Sequence, residues 1–167
     1  HLNKEGFSHV HILRSEEDID SAVIERQKLW NNLKHEHGPF DIIGDIHGCF
    51  DELEKLLKDL GYQINKIIDS SGLHEYNVVH PEGRKVIFLG DIVDRGPKIK
   101  EVLNLVMSMV KSGAAFCVPG NHDIRLLRKL NGKNVQLTHG LDKSVEQLEK
   151  ESTEYIRRVK DFIYGLV

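Results

Sequence analysis

The sequence predicts an α/β fold in which helices flank a parallel sheet. Three apolar runs, at 40–43, 86–89 and 115–118, each end in a short motif that contains glycine and acidic side chains. A helical pattern follows each motif, so that strand, loop and helix recur three times. Loops that follow parallel strands gather at the carboxyl edge of the sheet, where ligands of open α/β sheets bind. We therefore expect the three motifs to meet there.

Composition and charge narrow the class of protein. The chain has 167 residues, enough for one domain, and its 40% hydrophobic and 29% charged residues are typical of globular proteins. It contains no signal-peptide pattern and no apolar run near the roughly 18 residues of a spanning helix, so we expect no membrane partner. The net charge of −3 neither indicates nor excludes a nucleic-acid partner. Cys49 and Cys117 lie in or beside apolar runs, which favours reduced thiols and a cytoplasmic location.

Residues 1–37 are predicted to be a connector, and the domain proper is expected to cover residues 38–167. A weak alternation at 7–13 suggests a short strand. Ser15 could cap a helix within 16–37, because acidic side chains occupy its first turn. The apolar positions of that stretch are only loosely amphipathic, and Gly38-Pro39 would stop it.

The domain is expected to begin with a strand at 40–44, whose nearly continuous apolar character suits a sheet buried on both faces. A helix over 50–60 follows, where apolar residues recur at helical spacing before Gly61. The remaining elements follow from the same periodicities: a hairpin over 62–80 with its turn at 69–72, a strand at 86–90, a helix after Pro97, a strand at 115–118, a helix that ends near Asn131-Gly132, and mostly helix from 144 to 167.

The motifs contain side chains that suit metal ligation. In Gly44-Asp45-Ile46-His47-Gly48, an extended backbone would put the carboxylate of Asp45 and the imidazole of His47 on one side. Asp91 ends the next strand, where a carboxylate could bridge two cations, and Asn121 offers a neutral oxygen to the second cation. Mixed nitrogen and oxygen ligands favour Mn²⁺, Fe, Zn²⁺ or Ni²⁺ over Ca²⁺.

The same motifs contain groups that could act on phosphate. Two cations about 3.5–4 Å apart can activate a water and neutralise charge in an in-line displacement. Arg95 has a planar fork that fits two phosphate oxygens. His122 could give a proton to the leaving oxygen, with either Asp94 or Asp123 orienting it, although Asp123 could instead cap the following helix. The sequence thus predicts a two-metal phosphoesterase site.

Together, the three motifs resemble the signature of calcineurin-like metallophosphoesterases. They match Gly-Asp-x-His-Gly, Gly-Asp-x-x-Asp-Arg-Gly-Pro and Gly-Asn-His-Asp without substitution. The resemblance implies a sheet sandwich flanked by helices. It also implies two divalent metal ions, Mn²⁺ foremost, with Ni²⁺, Co²⁺, Fe or Zn²⁺ as alternatives. Asp45, His47 and Asp91 would bind one ion, and Asp91 and Asn121 the other.

For catalysis, the resemblance implies three further roles. Arg95, His122 and Asn121 would contact the phosphate, and His122 would be the general acid, held by Asp94. The chain departs from the family pattern after His122, because the two later metal-binding histidines of the family have no match. The only later histidine is His139, in a Thr-His-Gly context. We therefore expect a fragment that lacks the C-terminal half of its domain and has one metal site nearly whole and the second half built.

A narrower resemblance links the chain to the phosphatase module of bacterial polynucleotide kinase-phosphatases, which are RNA-repair enzymes. It rests on residues 25–30, 37–45, 138–141 and 145–148. It implies removal of 3′-phosphate or 2′,3′-cyclic phosphate from RNA or DNA ends, with covalent kinase and ligase-like modules in the parent protein. A protein serine/threonine phosphatase or a dinucleoside tetraphosphatase is the alternative enzyme, since the superfamily shares the motifs. A catalytically silent metal-binding fragment and a homodimer also stay open.

Two other features allow two interpretations each. A basic helix beside the site could steer a polynucleotide, because phosphate neutralisation drives such binding, or it could be a solvated surface. Its members are Arg125, Arg128, Lys129 and Lys133. His139 is expected to be structural, with a place at the border of the substrate as the alternative.

Overall fold

The computed structural model describes residues 10–26, 32–68 and 74–166. The chain separates into two compact units, residues 1–36 and 37–167. None of the helices within the described ranges is long and apolar enough to cross a membrane.

In the first unit, helix α1 covers Glu16–Ser21. Ser15 caps it as predicted: its Oγ accepts the N–H of Asp18, and the Asp18 carboxylate accepts the N–H of Ser15, both at 3.1 Å. The helix is shorter than the predicted span, since residues 22–26 and 32–36 are not helical, while 27–31 lie outside the described residues. No residue of α1 is buried, and a short helix without a buried apolar face lacks the packing that supplies most helical stability. The predicted strand at 7–13 is wrong for residues 10–13, and 7–9 are not described.

The second unit alternates strands and helices in the predicted order. Its elements are β1 (Phe40–Ile43), α2 (Phe50–Asp59), β2 (Gln63–Ile68), β3 (His74–Val79), β4 (Lys85–Phe88), α3 (Ile99–Lys111), β5 (Ala115–Cys117), α4 (Asn121–Leu130), α5 (Leu141–Leu148) and α6 (Thr153–Gly165). The predicted hairpin is the antiparallel pair β2–β3, whose turn lies outside the described residues. The C-terminal helical stretch is two helices, because Ser152 starts α6 by accepting the N–H of Tyr155 at 3.1 Å.

The central sheet has three parallel strands in the order β1-β4-β5, which confirms the α/β class. Residues on one face are buried, as Val86, Phe88 and Ala115 show with at most 1% exposure. The other face is more open than the apolar runs predict, since Ile42 is 65% exposed. An apolar run shows what a strand is able to bury, and it carries no information about which element covers each face.

Helix α3 holds the unit together. Nine of its thirteen residues are buried, because it lies between the hairpin and the sheet, with contacts to β3 and β5. The Oγ of its Ser108 accepts the N–H of Tyr76 in β3 at 3.0 Å. A helix buried on this scale fixes the sheet, and with it the strand ends that carry the motifs.

Near the start of β1, a buried carboxylate joins three segments of the chain. Asp41 is 9% exposed, and its Oδ2 accepts the hydroxyl of Tyr62 and the Nε–H of Arg84, each at 2.9 Å. The Nη2 of Arg84 donates to the other oxygen. Arg84, chiefly, holds the pKa of Asp41 below its usual value, against the effect of burial.

Replacing this carboxylate tests the ion pair. We expect Asp41→Asn to lower the free energy of unfolding by about 2–3 kcal/mol near pH 7, because it leaves Arg84 without its charged partner. The pKa of Asp41 is lower in the folded state than the roughly 3.9 of an unfolded chain. The contribution is therefore fully present above about pH 5 and is lost as the pH falls through the folded-state pKa.

Urea unfolding at pH 7 and pH 3 measures the effect. Asp59→Asn is the control, since Asp59 is 62% exposed in its pair with Lys55 and should change stability by less than about 0.5 kcal/mol. An Asp41→Asn loss that is as large at pH 3 as at pH 7 would contradict the assignment.

Candidate active site

The loops that follow β1, β4 and β5 meet at the carboxyl edge of the sheet. The first two are joined through the backbone: the N–H of His47 donates to the carbonyl of Asp91 at 2.9 Å, and that of Gly48 to the carbonyl of Ile92 at 3.0 Å. In return, the N–H of Gly96 donates to the carbonyl of His47 at 2.8 Å. These bonds place the first motif against the whole length of the second.

Left-handed backbone is concentrated in these loops. Asp45, His47, Asp91, Asp94 and Arg95 have φ values of 53°, 46°, 50°, 71° and 63°. Side chains other than glycine rarely adopt this region, and such residues cluster at functional sites. The first motif is therefore a turn and not the extended segment that the sequence suggested, and this changes which side chains face one another.

Two glycines let the second and third motifs touch. Gly90 has a φ of +80°, and a Cβ at this position would lie 2.1 Å from the backbone nitrogen of Gly120. A Cβ on Gly120 would lie 2.1 Å from Oδ1 of Asp91. The contact is thus closed to any residue with a side chain, and it brings Asp91 to the start of α4.

His47, Asp91 and His122 form a compact group. One potential ligand atom from each lies within 4.8 Å of the others, and the rings of His47 and His122 are 4.7 Å apart, edge to face. The Nδ1 of His47 lies 2.9 Å from the carbonyl oxygen of Val93. A carbonyl only accepts, so Nδ1 carries the proton and Nε2 is left as a metal ligand.

Asp45 and Asn121 stand at the margin of this group. Asp45 is exposed at the end of β1, and the compact group of described residues has His122 where the sequence placed Asp45. Asn121 is the exposed first residue of α4. Both border the same edge of the sheet, so their oxygens remain candidates for a cation held by His47 and Asp91.

The carboxylate beside His122 is that of Asp94. Its Oδ2 lies 2.7 Å from Nδ1 of His122, and both side chains are buried, at 0% and 6% exposure. On the other side of the ring, Nη2 of the exposed Arg95 lies 3.4 Å from Nε2. This arrangement orients the imidazole so that Nε2 points toward the arginine and the open side of the site.

Asp123, the other candidate partner of His122, has a different task. Its carboxylate accepts the N–H groups of Gly120 and Asp91 at 2.8 Å and that of Ile92 at 3.1 Å. Burial raises the pKa of Asp123, and these three hydrogen bonds oppose the rise. Asp123 therefore caps α4 and ties it to the second motif.

Sequence patterns did not single out the residues of α5 that touch the site. The Oγ of Ser144 donates to Oδ1 of Asp94 at 2.5 Å, fifty residues away in the chain. Gln147 accepts the N–H of Ile99 at 2.8 Å and donates to the carbonyl of Gly96 at 3.3 Å. Nothing in the sequence pairs these polar positions of an ordinary amphipathic helix with the second motif.

Arg125 and His139 both lie near the loop that precedes α5. Arg125 binds the loop before α5, since Nη2 donates to the carbonyls of Gln136 and Thr138 at 3.1 and 3.3 Å. His139 is exposed, with a φ of 56°, and it precedes Gly140, whose carbonyl accepts the N–H of Arg95 at 3.2 Å. That loop therefore borders Arg95, and whether His139 also borders the substrate stays a prediction.

The two cysteines do not form a disulfide. Both are free and partly buried. Burial raises the pKa of the Cys117 thiol to about 12, which keeps it protonated and unreactive. Cys49 precedes α2, with its Sγ 3.8 Å from the carbonyl oxygen of His47.

Comparison with protein-family models decides the family. The model for calcineurin-like phosphoesterases matches residues 38–163, a range that includes all three motifs. The chain belongs to the calcineurin-like phosphoesterases. The superfamily resemblance is therefore confirmed, and the family is one of metal-dependent phosphoesterases.

Curated relatives are similar over a shorter length. The chain is 44% identical over 126 residues to bis(5′-nucleosyl)-tetraphosphatase PrpE (asymmetrical) of Halalkalibacterium halodurans, covering 73% of this chain and 48% of the relative. Proteins of the same name from a Geobacillus species and from Bacillus subtilis are 48% and 41% identical over 107 and 122 residues. These cover 64% and 73% of this chain, and 40% and 46% of the relatives. The chain thus spans about half the length of the curated relatives it matches.

A solved structure supports the fold. A protein serine/threonine phosphatase from Saccharomyces cerevisiae superposes with a TM-score of 0.50 at 21% identity, covering 81% of this chain and 35% of that one.

The names of the curated relatives match the alternative prediction, a dinucleoside tetraphosphatase, and not a polynucleotide kinase-phosphatase. The narrower resemblance is therefore not supported. It depended on short matches that lie outside the second and third motifs, and such short matches are far less specific than the motifs.

The contact between Gly90 and Gly120 can be tested with a matched pair of variants. Gly113 has a φ of +76°, but a Cβ added there would have nothing within 4 Å, so Gly113→Ala should cost only the left-handed strain of about 1–2 kcal/mol. Gly90→Ala adds a steric conflict with Gly120, and we expect a loss larger by at least about 2 kcal/mol. Urea unfolding of the two variants measures the difference, and equal losses would show that the backbones do not approach this closely.

Proposed function

We propose that the chain supplies the metal and phosphate site of an enzyme that hydrolyses bis(5′-nucleosyl) tetraphosphates asymmetrically. The observation that carries the proposal is the identity of 41–48% to three curated enzymes of that name. The geometry supports it, because His47, Asp91 and His122 converge beside an exposed arginine. Free cysteines fit a cytoplasmic setting.

The donor set fits divalent metal ions. His47 offers Nε2 because its Nδ1 is bound to Val93, and Asp91 offers a carboxylate at the centre of the group. Asp45 and Asn121, at the margin, would complete the oxygen ligands of two ions, with Mn²⁺ the favoured metal. When bound, such ions would polarise phosphoryl oxygens and lower the pKa of water.

The residues of the chain would position the phosphate and manage the proton. Arg95 has a planar guanidinium that can bind two phosphoryl oxygens once it turns from Nε2 of His122. His122 would then present Nε2 to the leaving oxygen, while Asp94 keeps Nδ1 bound and the ring fixed. Asp94 is fully buried, which excludes water from this side of the imidazole.

Cleavage of the proposed substrate requires little proton donation from His122. Water oxygen forms a bond to the terminal phosphorus of the tetraphosphate, the bond from that phosphorus to the bridging oxygen breaks, and the two protons of the water pass to solvent as the products ionise near neutral pH. One nucleoside monophosphate and one nucleoside triphosphate result. The triphosphate leaves as a delocalised anion, so it needs less protonation than the ribose oxygen released from an RNA 3′-phosphate.

Substrate competition tests the proposal. The purified protein is incubated with Mn²⁺ and with three substrates at equal concentration. They are bis(5′-adenosyl) tetraphosphate, an RNA with a 3′-phosphate and a phosphoserine peptide. We expect the highest kcat/KM for the tetraphosphate, with AMP and ATP as products separated by ion-exchange chromatography. Preference for the RNA end would favour end healing instead, and formation of two ADP would overturn asymmetric cleavage.

Variants of two arginines sharpen the same test. Arg95→Ala should lower kcat/KM for the tetraphosphate by roughly 10²- to 10³-fold, as expected for loss of a charged group that stabilises the transition state. Arg128→Ala is the control, because Arg128 is an exposed residue of α4 with no place in the proposed site. A similar loss in both variants would point to general electrostatic attraction rather than to a phosphate contact by Arg95.

Metal binding is expected to depend on Asp91. Asp91→Asn should weaken Mn²⁺ binding by more than roughly 10-fold, because it removes the central charge of the group. Isothermal titration calorimetry measures the affinity without any need for catalysis. Asp142→Asn is the control, since Asp142 is an exposed residue in the first turn of α5, and unchanged affinity in Asp91→Asn would remove Asp91 from the ligands.

A further inference from the structure

The structure assigns a further role to Ser144 of α5: we propose that it is a positioning residue that fixes the Asp94 carboxylate and, through it, the imidazole of His122. The inference rests on the proposed function, because it concerns how the site protonates a leaving group. None of the three motifs contains Ser144, and α5 follows the last motif by eighteen residues.

The hydroxyl of Ser144 makes two hydrogen bonds, both to Asp94. Its Oγ donates to Oδ1 of Asp94 at 2.5 Å and accepts the backbone N–H of Asp94 at 2.9 Å. Both residues are 0% exposed. An O–H···O distance of 2.5 Å lies in the range of charge-assisted bonds to a carboxylate, which are about twice as strong as neutral ones. The serine thus grips both the side chain and the backbone of Asp94.

This grip determines the orientation of the carboxylate. Oδ1 is bound to Ser144 and Oδ2 to Nδ1 of His122 at 2.7 Å, so the carboxylate plane cannot rotate without breaking both bonds. The backbone of Asp94 is left-handed, with a φ of 71°, and the bond from its N–H to Ser144 helps to hold it there. The direction of Nε2 of His122 therefore follows from the position of α5.

Helix α5 grips the second motif at a second point that provides a control. Gln147 accepts the N–H of Ile99 and donates to the carbonyl of Gly96, one turn beyond Ser144. Its contacts are to the backbone on the far side of Arg95, and neither involves Asp94. Loss of Gln147 would loosen the same helix without touching the pair of Asp94 and His122.

The test is the dependence of the rate on the leaving group. Ser144→Ala is compared with wild type, in the full-length protein with Mn²⁺, on phosphoesters with leaving groups of increasing basicity and on bis(5′-adenosyl) tetraphosphate. We expect kcat to fall roughly 10- to 100-fold for the most basic leaving group and little for the tetraphosphate, with KM unchanged. Gln147→Ala should lower stability and change all substrates by the same factor.

A double variant decides whether Ser144 acts through Asp94. In an Asp94→Asn background, Ser144→Ala should cause no further loss, because the carboxylate that it orients is gone. Two results would overturn the proposal: equal losses across the whole leaving-group series, or a Ser144→Ala effect that persists in full in the Asp94→Asn background.

Nuclear magnetic resonance separates this inference from the proposed function. The imidazole N–H proton of His122, bound to Asp94, should give a downfield resonance that shifts or broadens in Ser144→Ala and not in Gln147→Ala. This readout needs no turnover. If the wild type cleaves none of the substrates, the proposed function fails, while an unchanged resonance in Ser144→Ala would overturn the role of Ser144.

Discussion

The site depends on a buried carboxylate that takes no part in its chemistry. Asp123 is fully buried and accepts three backbone N–H groups, two from the loop after β4 and one from the loop after β5. Burying a charge is costly unless it is paired or hydrogen-bonded, and three amide donors offset that cost. Because the donors come from both loops, Asp123 fixes the distance between Asp91 and His122. The N–H of His122 then donates to Oδ1 of Asp91 at 3.0 Å and closes the link.

The loops that carry the site contain strained backbone. Five residues of the first two motifs are left-handed without being glycine, and each such residue costs on the order of 1–3 kcal/mol. The cost is offset by hydrogen bonds between the loops and by the core around α3, in which residues such as Ile99, Leu103 and Met109 are fully buried. The edge of the sheet that carries the candidate site is thus supported by the core that lies behind it.

The sequence was informative where periodicity or chemistry repeats locally. Apolar spacing predicted the strands β1, β4 and β5, the hairpin, and the helices of residues 37–167. The three motifs predicted the family. Local patterns do not report the conformation of a loop, so the turn at Asp45 to His47 was mistaken for an extended segment. They do not report which distant groups become neighbours either, which is why Ser144 and Gln147 were missed. Residue chemistry alone also left Asp94 and Asp123 as alternative partners of His122, and only the family resemblance favoured Asp94. The connector helix was predicted correctly at its Ser15 cap and too long in its extent, and none of the residues of α1 is buried.

The proposed site could cleave either a phosphoester or a phosphoanhydride. The two substrates differ in how much the leaving oxygen depends on a proton from His122. In the proposed site, the bound metal ions and Arg95 would hold the phosphate in either case, since the non-bridging oxygens are alike. An ester releases a basic alkoxide, which makes the alignment of Nε2 of His122 decisive, whereas a polyphosphate releases a stable anion. The chain from Ser144 through Asp94 to His122 is therefore more than the proposed tetraphosphate substrate requires. Under the proposed function, this edge of the sheet would also be able to cleave an ester, and the choice of substrate would depend on the surfaces that receive the nucleoside rather than on the reacting groups.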